Sequence, residues 1–142
     1  MTAKHPKKKD RPGVDVYGRT PLHQAAADGN AALCNELLSS GSDPNVQDDN
    51  GWSPLHFAAQ ASSPEVTELL LQASANTALR DSHGNTALSK AVFSSKGKGI
   101  VITLLRNAGA DPLAINNSGV SPLILARSIS NFNVSQFFSD LP

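Results

Sequence analysis

Two histidines, His23 and His56, stand 33 residues apart in related runs, "GRTPLHQAAADG" (18–29) and "GWSPLHFAAQAS" (51–62). A His three residues after a Thr or Ser hydroxyl has the types needed for a nucleophile and its base. Two His could also begin a metal site, but tetrahedral zinc needs further Cys, His or carboxylate ligands at close spacing. None stands at such spacing, and later copies of the run carry Ser89 and Ile124 at the same place. A shared catalytic or metal role is therefore not expected. Other candidates fail in the same way. Cys34 lies between Leu33 and the Leu37–Leu38 pair, where a buried, unreactive thiol is expected. "SSKGKGI" (94–100) has two glycines and two lysines but no GxxxxGK[ST] run and no preceding strand. No GxSxG or HExxH pattern occurs. Asp15, Asp48 and Asp81 each precede a Gly by three residues, which is turn composition rather than acid catalysis.

The elements that carry these residues recur. "GRTPLH", "GWSPLH", "GNTALS" and "GVSPLI" begin at Gly18, Gly51, Gly84 and Gly119. "LLSSGSDPN", "LLQASANTA" and "LRNAGADPL" (37–45, 70–78 and 105–113) keep the same period. Thr20, Ser53, Thr86 and Ser121 sit where a helix N-cap accepts a first-turn N–H. Pro21, Pro54 and Pro122 follow at the first helical position, where a missing N–H costs nothing; Ala87 departs from this. Leu22, Ala25 and Ala26 give a first helix a small, closely approachable face. Leu33, Leu37 and Leu38, or Val66 and Leu69 to Leu71, give a second helix its apolar side, and Gly41 and Gly109 supply C-caps.

A 33-residue period with a Thr-Pro-Leu-His-x-Ala run resembles the ankyrin repeat. The resemblance implies an all-α solenoid of four stacked helix–turn–helix units, 15–47, 48–80, 81–115 and 116–142, with projecting β-turn fingers, following a flexible basic arm at 1–14. Eight helices are expected, the last shortened into a cap. It further implies that His23 and His56 tie neighbouring turns together. Partners would be met through variable finger and first-helix positions: Tyr17, Arg19, Asp28, Asp49, Asn50, Trp52, Gln60, His83, Asn85 and Phe93. Trp52, the only Trp, stands out as an interface anchor. Its removal is expected to cost binding and little folding, since Asp48, Gly51 and Ser53 shape its finger. The third unit is two residues longer, through "FSSKGKGIV" (93–101), a loop expected away from the fingers and a second contact candidate. Small stand-alone bacterial ankyrin immunity proteins are similar in having a third unit of the type "HGNTALSKAVF". That likeness implies an inhibitor that neutralises a toxin; the alternative is an adaptor or regulator like the ankyrin inhibitors of transcription factors.

Charge and composition narrow the partner. The 142 residues are 39% hydrophobic and 5% aromatic, with zero net charge and one cysteine. The zero is uneven. Lys4, Lys7, Lys8, Lys9 and Arg11 make the start basic, whereas residues 15–79 carry eight carboxylates against Arg19 alone. Arg80, Lys90, Lys96, Lys98, Arg106 and Arg127 make the next stretch basic again. A partner protein with a basic surface is expected to meet the concave side of units one and two, Asp49 included. The repeats are net acidic, so nucleic acid is not an expected partner. No apolar run has the length of a membrane span, and no signal peptide is recognised. A cytoplasmic, cofactor-free, non-enzymatic protein, monomeric when free, is the expectation.

Overall fold

Residues 11–142 are described by the computed structural model. Seven α-helices follow one another: α1 (Pro21–Ala27), α2 (Ala31–Ser39), α3 (Pro54–Gln60), α4 (Pro64–Gln72), α5 (Ala87–Ser94), α6 (Ile100–Asn107) and α7 (Pro122–Ser128). The place of an eighth is taken by a 3-10 helix, Val134–Phe138. The shortening has a local cause. Ser130, Asn131, Asn133 and Ser135 are residue types that favour caps and turns over helix interiors. Ile129, after α7, is already extended at φ −81° and ψ 117°. The basic arm expected at 1–14 falls mostly on residues 1–10, outside the described residues.

The helices form two layers. α1, α3, α5 and α7 pack side by side in one, and α2, α4 and α6 in the other. Equivalent residues fill the core of each unit. Leu22, Leu55, Leu88 and Leu123 are buried in turn, as are Ala25, Ala58, Ala91 and Ala126. The alanines let first helices approach closely, and each buried Leu contributes about 1.5–3 kcal/mol of transfer energy. Cys34, Thr67 and Ile102 occupy matching buried places in the second layer. Burial pushes the Cys34 thiol above its ordinary value, away from the reactive thiolate.

Three N-caps close as their sequence indicates. Thr20 Oγ1 accepts the His23 N–H, Ser53 Oγ that of His56, and Ser121 Oγ that of Ile124. Thr86 is the exception and makes no side-chain cap bond. Each finger is organised by one side chain. Asp48 Oδ1 accepts from the N–H groups of Asn50 and Trp52, and Asp81 Oδ1 from those of His83 and Asn85. Asp15 and Asn116 do the same in their fingers. Neighbouring fingers are then joined main chain to main chain: Asp49 N to Tyr17 O at 2.9 Å, Ser82 N to Asn50 O at 2.9 Å, and Asn117 N to His83 O at 3.0 Å.

The longer loop of the third unit is a seat for the C-terminal cap. A Cβ on Gly99 would lie 2.2 Å from the Phe137 ring, and one on Gly97 3.0 Å from Phe132. Gly97 also takes φ +85°, which favours glycine. Arg106, at the place of Leu38 and Leu71, reaches over the same seam. It pairs with both Asp140 oxygens at 2.7 and 2.8 Å and donates to Phe137 O at 3.0 Å.

Candidate functional site

The histidines are structural bridges. Thr20 N–H donates to His23 Nδ1 at 3.0 Å, so that nitrogen is the acceptor and Nε2 carries the proton. Nε2–H then reaches Trp52 O, 2.9 Å away in the next unit. His56 repeats this, with Ser53 N–H on Nδ1 at 3.1 Å and Asn85 O on Nε2 at 2.9 Å. Both rings are fully buried, and burial holds both below the ordinary histidine value. A neutral ring with both nitrogens engaged has no capacity left for catalysis. Among the described residues, no group of three or more His, Cys, Asp or Glu could hold a metal ion.

Above the bridges runs a stack of cations and aromatic rings. The Arg19 guanidinium lies 5.1 Å from the Tyr17 ring centre and 5.0 Å from that of Phe57. Phe57 lies 4.8 Å from Trp52, and Lys90 Nζ lies 4.2 Å from the centre of the Trp52 ring. Beneath the stack, Asp48 pairs with Arg19 at 3.4 Å and Asp81 with Lys90 at 3.1 Å; both carboxylates are buried. Arg19, Trp52, Phe57 and Lys90 thus form one cluster across three repeats. Trp52 is half-buried and packs on the core, so its ring is not wholly free for a partner. Lys90 and Phe57 were not among the expected site residues. Part of the signal was there: Lys90 stands 33 residues after Phe57, so the repeat places the two side chains at matching positions of neighbouring helices, α3 and α5.

Phe93 behaves differently. Its side chain is 75% exposed at the end of α5 and forms a wall of two hollows. One, of about 430 Å³, lies between the third and fourth fingers and is lined by Asn85, Ser89, Lys90, Val120 and Leu125 among others. The other, of about 450 Å³, brings Gln60 together with Lys96 and Lys98. The lysine loop therefore adjoins the C-terminal end of α3, at the ends of the first helices away from the fingers. The reason is its position directly after α5, whose last turn carries Phe93.

The remaining candidates scatter. Tyr17, Asn50 and His83 are exposed on fingers, and Asp28 is exposed just after α1. Asn85 Oδ1 accepts from Asn116 Nδ2 at 2.9 Å, joining third and fourth fingers. Asp49 makes a two-pronged pair with Arg11, 2.9 Å for each bond, which neutralises much of its charge. The remaining carboxylates do not gather on the first-helix side either: Glu36 stands on α2, and Glu65 and Glu68 on α4. The run of negative charge counted along the chain splits between two faces, because 33 residues carry it once through both layers.

Residues 22–116 match the sequence profile described as ankyrin repeats, in three copies. The chain belongs to the ankyrin-repeat family. No match was found among curated proteins. As an ankyrin-repeat array the chain is a protein–protein interaction module, of a family that typically forms non-enzymatic binding scaffolds. No helix among the described residues is long and apolar enough to cross a membrane. The fourth finger and α7 lie almost wholly past the match, where Ile124 replaces the histidine and Phe137 and Phe138 pack on the ankyrin core.

Proposed function

We propose that the chain is a non-enzymatic inhibitor of another protein, of the immunity type, that covers a basic cleft on a toxin-like partner. The observation supporting this reading is the set of exposed carboxylates over the first two units. Asp28, Glu36, Asp43, Glu65 and Glu68 are exposed and form no ion pair among the described residues. Although divided between two faces, carboxylates without ion partners among the described residues leave a long-range field that speeds encounter with a positive surface. Phe93, ringed by its two hollows, supplies an apolar anchor that such a partner would desolvate. The working form is a monomer in the cytoplasm, with no cofactor and no nucleic acid.

The experiment is affinity purification with the full chain as bait, followed by activity and rate measurements on the captured protein. An inhibitor reading requires that the partner's activity fall in proportion to complex formed, and that the association rate fall as salt rises. A partner whose activity is untouched, or a salt-independent association rate, overturns it. A regulator of transcription-factor type is the second reading, favoured by the likeness of fold alone. Its mark would be a DNA-binding protein captured from nuclei.

A further inference from the structure

The junction between third and fourth units lacks the bridge that the other two have. His23 and His56 each place a ring between the N-cap hydroxyl of their own unit and a carbonyl of the next. In the third unit the same place holds Ser89, too short to span that gap. Two consequences are visible. Thr86 Oγ1, which corresponds to the Thr20 and Ser53 hydroxyls, is buried without a hydrogen-bond partner. Val120 O, which corresponds to the Trp52 and Asn85 carbonyls, keeps its bond from Asn116 N but receives no imidazole. Ser89, Val120 and Leu125 line the hollow of about 430 Å³ beside Phe93.

We infer that this hollow is a binding site for a planar, neutral ring with a hydrogen-bond donor, such as an imidazole side chain presented by the partner. The ring would sit where His23 and His56 sit in the other junctions. Its N–H would face Val120 O and its acceptor nitrogen the Ser89 hydroxyl; both residues line the hollow, as Thr86 does not. Phe93 and Leu125 supply apolar walls. The only cation lining the hollow, Lys90, is committed to Asp81 and the Trp52 ring, so a neutral ring fits better than a charged one. This inference rests on the protein-binding reading only for the source of the ring; the pocket itself can be tested without a partner.

The probe is 4-methylimidazole, titrated into the full chain at about pH 8.5, where the ring is neutral, and followed by amide NMR. Shifts that saturate and are confined to Ser89, Val120, Leu125 and their neighbours are expected. Blocking the donor with 1,4-dimethylimidazole is expected to weaken binding several-fold, since Val120 O loses its partner. Ser89→His fills the site from within. It is expected to abolish the probe's shifts and raise the melting temperature by about 4 °C, the equivalent of one added hydrogen bond. Scattered or absent shifts, equal binding of the two rings, or shifts that persist in a folded Ser89→His protein would each overturn the site. A captured partner that binds Ser89→His and the natural chain equally would remove the partner's ring from this hollow and leave the inhibitor reading standing.

Discussion

Nε2 of His23 lies 2.9 Å from the carbonyl oxygen of Trp52, so the one tryptophan is held through its backbone by the unit before it. Its ring meanwhile faces Lys90 of the unit after it. A single residue thereby links three repeats, and both links can be cut separately.

Cutting the first link is the simplest test of the bridges. His23→Ala and His56→Ala are each expected to cost about 1–3 kcal/mol, because the ring's hydrogen bonds are lost and a buried carbonyl loses one donor. Chemical denaturation measures this. In the folded fraction, partner affinity is expected to stay close to that of the natural chain. Loss of affinity without loss of stability would overturn the structural reading of His23 and His56.

Cutting the second link tests the stack. Trp52→Ala is expected to destabilise the fold by about 2 kcal/mol, as a half-buried ring leaves a gap between Phe57 and Lys90. Lys90→Met keeps the chain length but removes the cation and leaves Asp81 buried without its ion partner. A melting temperature unmoved by either change would show that the stack contributes nothing to folding.

Acid is expected to unfold the protein in two stages. His23 and His56 are held below the ordinary 6.5 by burial, so protons bind the unfolded chain more tightly. Their contribution is complete above 6.5 and declines as pH falls below it. For Asp81, burial raises the carboxyl's affinity for protons, but the N–H groups of Asn85 and His83 and the ammonium of Lys90 outweigh it and leave it below 3.8. That contribution is lost only as pH falls below 3.8. Urea midpoints measured between about pH 8 and 3 check the shape, and the upper stage should vanish in a His23→Ala, His56→Ala double variant.

One position invites improvement. Ser74 takes φ +66° where Gly41 and Gly109 take +97° and +94° in equivalent loops. A side chain in the left-handed region costs about 1 kcal/mol, partly offset by the stiffer unfolded chain. Ser74→Gly is therefore expected to raise the denaturation midpoint slightly. Ser62, also left-handed at +52°, donates its hydroxyl to Ser94 O, so Ser62→Gly is expected to gain nothing. A gain at position 62 equal to that at 74 would contradict the role given to that hydroxyl.

What the sequence made legible is what repeats. The turn aspartates, the N-cap hydroxyls, the prolines and the two bridging histidines recur at one period, so each could be read from its copies. Single contacts between unlike residues were not legible. Arg11 on Asp49 lies outside the period, so the charge of Asp49 looked available. Phe137 on Gly99 joins an insertion to a cap, and neither has a copy elsewhere to compare. Lys90 on Trp52 lay in between: the repeat gives the register, but the direction of the lysine depends on the packing of three units at once.

The seat made by Gly97 and Gly99 for Phe132 and Phe137 also decides how the chain can be edited. A fifth repeat grafted after α7 would have to displace both phenylalanines, and the seat would then open to solvent as an apolar scar. A shortened loop with the original ending would strand the rings instead. The insertion and the terminus, some 35 residues apart, therefore have to be exchanged together. Loop and ending are keyed to each other, and only a matched pair of parts will close the seam between them.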